Sequence, residues 1–464
     1  MSIYYQPEVL YADGGFVTNT GLVPDDSGRI TKPCEMPAHA VSFLRKALLP
    51  GLINVHSHSF QRLIRGKSES RRTSGKDFWS WRGTMYHAAA RLSPEDVYDV
   101  ARMTFLEMAH AGITTVGEFH YLHNAPDGRS YDDPNLLAKQ VIAAAQSVGI
   151  RIVLLRSAYF RSGYKVPTDS GQLRFFEKSK DFIANMESLI AAYAGKSDEV
   201  QVGIAPHSIR AVPLADLREL AKWAEAKQLP VHIHISEQVA ENAACEAEYG
   251  RTPISLLAKE GLLTSKLTAV HATHTTDDEI SMMADAGATI CACPTTERNL
   301  GDGILSADKV MRAGVGIALG SDSQAQIDPL EDARELDYHL RLAHQERALL
   351  DQIDEQPLAS RLLDCATING AKSLRVEAGV LTDGAYADFF TVDLDHPSIA
   401  GNSPEDLLPI LVFGLEKSAI RDVAVNGKLI IRDGKHELEE EIIARYKDVY
   451  RKVWANAPHE ARHQ

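Results

Sequence analysis

Between residues 49 and 370, short apolar runs alternate with longer stretches whose apolar positions recur every three to four residues. The short runs are Leu52–Val55, Thr114–Phe119, Arg151–Leu155, Val200–Ala205, Pro230–Ile235, Leu267–His271, Thr289–Cys293 and Gly316–Gly320. Continuous apolar runs of this length are the pattern of strands buried on both faces. The intervening stretches Pro94–Ala111, Asn135–Val148, Lys178–Tyr193, Leu214–Lys227, Ile254–Glu260, Thr276–Ala286 and Ala307–Ala313 predict amphipathic helices. Strand–helix alternation implies parallel strands with covering helices. Eight such units, in a span a little above the roughly 250 residues usual for the fold, predict a (β/α)8 TIM-like barrel. A doubly wound open sheet is the rival. It ranks below the barrel because ligand-type residues end many different strands, and a closed ring brings those ends together.

The flanks read differently. Residues 1–48 hold short strand-like pieces separated by Gly, Asp and Pro. Residues 371–436 return to short strands, with Asn426-Gly427 as a tight-turn signal between Asp422–Val425 and Lys428–Ile431. The two flanks are expected to pair into one small β-sandwich domain built from both chain ends. Residues 49–370 then form the catalytic barrel, and 437–464 a C-terminal helix rich in Glu, Lys and Arg.

The first barrel run ends in His56-Ser57-His58. Strand residues two apart share a face, so the two imidazoles stand side by side and make half a metal site. The other run ends supply the remainder. The fifth carries His232-Ile233-His234-Ile235-Ser236-Glu237, the sixth ends in His271 and the eighth in Gly320-Ser321-Asp322. His56, His58, His234 and Asp322 give three imidazoles and a carboxylate, the shell of a zinc-type ion. His234 is preferred to His232 because it lies nearer the strand end, and His232 reads as a core histidine. Glu237 sits where a carboxylate can shuttle protons. A metal-activated water attacking a planar carbon is the chemistry this set favours. The fourth run ends in Ala205-Pro206-His207-Ser208, with no lysine to be carbamylated between two metals, so one metal is expected. Gln61, Arg62, Trp79–Arg82, Phe119-His120-Tyr121 and His207-Ser208-Ile209-Arg210 surround this centre, and arginine's planar fork suits carboxylates.

Composition narrows the class. The 464-residue chain is 44% hydrophobic and 24% charged, with a formal net charge of -14. That balance argues against nucleic acid or an anionic membrane as partner. Five cysteines, an odd and sparse set, point to reduced thiols. Cys291 and Cys293 read as part of a buried strand rather than a metal pair. Met1–Pro7 shows no basic region followed by an apolar core, and no run approaches a membrane span. A cytoplasmic protein is expected.

These segments resemble the amidohydrolase superfamily and, within it, the formimidoylglutamate deiminases. The resemblance covers nearly the whole chain. Its most specific pieces are Pro50 to Arg62, Phe78-Trp79-Ser80-Trp81-Arg82, Glu118-Phe119-His120-Tyr121, Pro206 to Val212, His232 to Gln238, Cys293 to Glu297 with Asn299 to Gly303, and Gly320 to Gln324. The resemblance implies one Zn2+ per subunit on His56, His58, His234 and Asp322. It implies Glu237, His271 and Asp322 as proton-handling residues. It implies Gln61, Arg82, Tyr121, His207 and Arg210 as the holders of a dicarboxylate substrate. A homodimer follows by family analogy alone. The chain departs from the family pattern at Arg161–Pro167, and Lys67, Arg71 and Arg72 make the loop after the first strand unusually basic.

Three readings compete. One is hydrolytic deimination of N-formimino-L-glutamate in histidine degradation. The second keeps the chemistry but acts on another anionic formimino compound, a guanidino compound or an aminated heterocycle. The third is a metal-dependent binding protein without catalysis, against which the Glu237 and His271 pair argues. Iron or manganese would also suit the donor set.

Overall fold

The computed structural model describes residues 3–32, 39–69, 78–351 and 353–455. Cys34, Arg71 and Arg72 lie outside the described residues. The chain opens with β1 (Ile3–Ala12), β2 (Gly15–Thr18) and β3 (His39–Pro50). The barrel strands follow as β4 (Leu52–Ser57), β5 (Ile113–His120), β6 (Arg151–Ala158), β7 (Val200–Pro206), β8 (Val231–Ile235), β9 (Leu267–His271), β10 (Thr289–Ala292) and β11 (Gly316–Leu319). All eight fall on the expected runs, in the sheet order β4 to β11. A parallel bridge between Ser57 and Asp322 closes the ring. Near-complete burial of these strands explains their lack of polar alternation.

Helices cover the outer face where the 3.6-residue pattern placed them. Pro94–His110 shows why such a helix begins where it does. Ser93 accepts from the Asp96 N–H, the Asp96 carboxylate accepts from the Ser93 N–H, and Pro94 occupies the first turn. Its Val97, Val100, Ala101, Phe105 and Met108 face the core. One segment departs from expectation. The stretch Phe78–Ala89, read as part of a long loop after the first strand, forms a helix.

The flanking strands β12 (Phe389–Asp393), β13 (Ile420–Val425) and β14 (Lys428–Ile431) join β1–β3 in a six-stranded sheet of order β14-β13-β12-β3-β1-β2. Both chain ends therefore build it. Asn426 and Gly427 have φ of 51° and 69°, the left-handed pair that the tight turn between β13 and β14 requires. A separate core of Tyr5, Leu10, Phe43, Leu48 and Phe389 lies within this sheet. The helix Glu439–Trp454 returns to the barrel, where Trp454 donates to the Leu63 carbonyl at 3.3 Å.

The sheet meets the barrel across an apolar seam that includes Val9, Leu49, Phe390 and Val423, and a buried ion pair reinforces it. Arg151, at the start of β6, meets Asp388 at 3.2 Å with both side chains fully buried. Its guanidinium also lies 3.7 Å from the Tyr386 ring centroid and donates to the Asp198 carbonyl at 2.6 Å. Removing one partner leaves an uncompensated buried charge. Asp388→Ala is expected to destabilise the fold by about 3–5 kcal/mol, measured as a lower midpoint of urea unfolding. A shift below about 1 kcal/mol would mean that water relieves Arg151 at this joint.

Candidate active site

The candidate metal ligands converge at the carboxyl ends of β4, β8 and β11. His56, His58, His234 and Asp322 are buried and offer ligand atoms that lie within 4.8 Å of one another. His58 Nδ1 lies 2.8 Å from the Phe119 carbonyl, and His234 Nδ1 lies 3.0 Å from the His207 carbonyl. A carbonyl only accepts, so each Nδ1 carries the hydrogen. In the neutral ring the Nε2 then has a bare lone pair, yet these two Nε2 atoms are 3.3 Å apart. His56 Nε2 is 3.1 Å from His234 Nε2 and 3.2 Å from Asp322 Oδ1. Two lone pairs facing across 3.3 Å repel unless a cation stands between them. A tetrahedral ion with bonds of about 2.05 Å has ligand–ligand edges of about 3.3 Å. The cage has that size, and the carbonyls that fix its tautomers are the partners metal-ligating histidines use.

Protonation agrees with this. Burial pushes His56 down to about 3, only partly opposed by its bond to Asp322, and holds His234 well below the usual imidazole range. Both rings are neutral ligands at neutral pH. Burial alone would raise the Asp322 carboxyl, but the His56 and His58 rings, each 3.2 Å away, outweigh it and hold it well below the usual range.

The local fold aims these groups. Ser236, His271, Ala272, Asp322 and Gln324 all have φ between 45° and 71°, in the left-handed region that non-glycine residues avoid. The strain clusters where the barrel's strands end and turns side chains inward. Gly320 precedes Asp322 because a Cβ there would lie 2.7 Å from His56 Cβ and 3.0 Å from Cys291 Sγ. Glu118 holds the segment after β4, accepting from the Ser57 hydroxyl at 2.6 Å, the Ser59 hydroxyl at 2.6 Å and the Ser59 N–H at 2.7 Å.

His271 Nε2 faces Asp322 at 3.9 Å, and its Nδ1 faces Glu297 at 3.3 Å. Burial opposes charge on His271, yet Glu237, Glu297 and Asp322 together raise its pKa well above the usual value. Glu237 is pushed up, chiefly by burial. The Glu237 carboxyl and the His271 imidazole form an acid–base pair next to the metal cage.

One cavity collects the remaining candidates. His58, Gln61, Arg82, Tyr121, His207, Arg210, His234, Glu237, His271 and Asp322 all border it, while His56 lies fully buried beneath. Gln61 donates to the Tyr121 hydroxyl at 2.5 Å. Arg62 does not join them. It pairs with Glu107 at 2.8 Å and covers the Tyr446 ring at 4.6 Å. His232 also stands apart, with Nε2 3.5 Å from the Ser373 carbonyl. Cys291 and Cys293 are buried and free. Sequence reading missed Met85, Tyr86, Tyr159, Phe175 and Leu300 on the cavity wall and Glu297 behind His271. A motif containing Glu297 was visible, but only the fold points its carboxylate at His271.

The amidohydrolase family profile matches residues 47–430. The chain belongs to the amidohydrolase family, and the barrel and buried His–His–His–Asp cage are those of a hydrolase of that family. Among its relatives, formimidoylglutamate deiminase of Pseudomonas aeruginosa is 38% identical over 85% of this chain and 86% of its own. A 5-methylthioadenosine/S-adenosylhomocysteine deaminase of Pyrococcus furiosus is 27% identical over 96% of this chain and 98% of its own. The crystal structure of an amidohydrolase from Brucella melitensis superposes with a TM-score of 0.86 at 31% identity, covering 97% of this chain and 99% of that one. No helix among the described residues is long and apolar enough to cross a membrane.

The metal-stripped protein titrated with cobalt(II) should bind one equivalent and gain thermal stability. His58→Ala and His234→Ala should each lose that stoichiometric binding. Full binding by either variant would place the ion elsewhere. A second expectation concerns acid. Burial pushes His232 down to about 4, partly opposed by the Ser373 carbonyl. The unfolded chain, with imidazoles near 6.5, binds more protons below that pH, so stability is complete above it and falls toward pH 4. His232 alone should remove about 2 kcal/mol between pH 7 and 5. The difference in urea unfolding free energy between these pH values should shrink by that amount in His232→Leu.

Proposed function

We propose that this protein deiminates N-formimino-L-glutamate hydrolytically, releasing ammonia and N-formyl-L-glutamate. The observation that carries this reading is the division of the cavity wall. Glu237 and Asp322 stand at the metal cage, and Arg82 and Arg210 line the same small space. A cationic amidine suits the first pair and carboxylates suit the second. The 38% identity to a formimidoylglutamate deiminase supports the same assignment.

The donor set suits zinc, with one ion per subunit. When bound, zinc lowers the pKa of a water molecule to about 7 and polarises the carbon under attack. The chain's own residues do the rest. Asp322, held ionised by its histidine neighbours, accepts the proton of the attacking water. His271 donates a hydrogen bond to the oxygen of the tetrahedral carbon. Glu237, whose raised pKa keeps a proton available, delivers it to the departing nitrogen. Arg82 and Arg210 hold the two carboxylates, and Gln61, Tyr121 and His207 orient the chain between them. His207 is neutral because burial and Arg210 both depress its pKa, so it can accept as well as donate. The same reading takes a small dicarboxylate as the protein's partner, with no nucleic acid or membrane. It includes a cytoplasmic homodimer in histidine degradation by analogy with the family.

Zinc-loaded protein should release ammonia rapidly from N-formimino-L-glutamate and slowly from N-formimino-L-aspartate and 5-methylthioadenosine. Glu237→Gln and Asp322→Asn should each lower kcat by about 10³-fold. Release from the aspartate compound or the nucleoside alone would move the substrate assignment to that compound. No release from any of the three by zinc-loaded protein would overturn the reading.

A further inference from the structure

The loop after β6, residues 161–176, reaches the cavity wall at Phe175. Its tip is a 3-10 turn, Ser170–Gln172, whose first turn is capped by Asp169 accepting from the Gly171 N–H. Gly171 lies against Tyr86 so closely that a Cβ there would be 2.5 Å from Tyr86 Cδ2. Arg174 and Asn124 pin the loop behind this tip. Arg174 donates to the Asn124 carbonyl at 2.9 Å, and the Asn124 amide donates to the Leu173 and Phe176 carbonyls at 3.0 and 2.7 Å.

Gln172 is 1% exposed and makes a paired contact. Its Nε2 donates to the Tyr86 hydroxyl at 2.8 Å and to the Tyr159 hydroxyl at 2.8 Å. An amide nitrogen has two hydrogens, and both are used. Tyr159 also accepts from Arg210 Nη1 at 3.3 Å. A phenol oxygen that accepts twice has no lone pair left, so its own hydrogen must point to a third partner. Tyr86, Tyr159 and Arg210 all border the cavity that holds Glu237 and Asp322. Gln172 thereby takes up an acceptor position on each phenol from behind, which leaves the phenols' own hydrogens for other partners, beside the guanidiniums of Arg82 and Arg210 on the cavity wall.

The geometry points to Gln172 as a positioning residue that sets anion specificity: it orients Tyr86 and Tyr159 so that both hydroxyls donate to a substrate carboxylate gripped by Arg210. This deepens the dicarboxylate reading given above and rests on it for the substrate, but not for the anion cradle itself. An amide locked behind two phenols acts only through their orientation, so its effect should vanish once the hydroxyls are gone.

Calorimetric binding of glutarate to the zinc-loaded full-length protein tests the cradle without any turnover. Gln172→Met, which keeps the length and loses the donors, should weaken glutarate about tenfold. KM for N-formimino-L-glutamate should rise by the same factor, with a smaller fall in kcat. The triple variant Gln172→Met/Tyr86→Phe/Tyr159→Phe should bind glutarate no more weakly than Tyr86→Phe/Tyr159→Phe. Multiplying losses, glutarate binding by Gln172→Met at wild-type strength, or no glutarate binding by the wild type would each overturn the proposal. If Gln172→Met does not fold, as judged by its thermal transition, Gln172→Asn carries the same expectations, since its shorter amide cannot span both phenols. Wild-type protein that binds glutarate yet releases no ammonia would sink the deimination reading and leave the cradle standing.

Discussion

The active site depends on how the barrel closes. Between β4 and β11 the ring is joined at Ser57 and Asp322, where the His58 N–H donates to the Asp322 carbonyl at 3.1 Å and the Asp322 N–H donates to the His56 carbonyl at 3.0 Å. The same backbone exchange that shuts the sheet therefore sets Asp322 against both histidines of the first strand. Gly320 makes room for the approach, and the left-handed backbone at Asp322 points its carboxylate into the ring rather than along the strand. Without that closure a ligand pair and its carboxylate would lie on opposite edges of an open sheet. A ligand set assembled where the ring closes would couple ion binding to the fold.

Beyond the cage, the cavity is organised by charge. One side holds Glu237, Asp322 and His271, backed by Glu297. The other holds Arg82, Arg210 and two tyrosines, the side proposed above to take carboxylates. Burial strengthens both halves, because charges out of water interact at a low effective dielectric. Such a separation suits the dicarboxylate amidine proposed above.

The second wall is built from irregular parts. Arg82 and Tyr86 come from the helix Phe78–Ala89, Tyr159 from just past β6 and Phe175 from the loop beyond it, with Gln172 of that loop behind the two tyrosines. Loops carry substrate specificity in this architecture while the strands carry the chemistry. The small sheet takes no part in the cavity. Its contribution is to brace the barrel's opposite end through Arg151 and Asp388.

By itself the sequence determined the eight strands, the covering helices, the tight turn at Asn426-Gly427 and the four converging metal-ligand candidates. These are legible because burial imposes a period on the chain, and because H-x-H, H-x-H and a strand-end Asp must sit at strand ends to be used at all. What only the tertiary structure decided is which polar groups meet across elements. Arg62, adjacent to Gln61 in sequence, turns away to Glu107, because neighbouring residues of a tight turn face different sides. Glu297 reaches His271, and Gln172 joins Tyr86 to Tyr159, across sequence separations of 26, 86 and 13 residues. Hydrogen-bond partners at such distances leave no periodic trace in the chain, since they are selected by geometry that exists only after the barrel has closed.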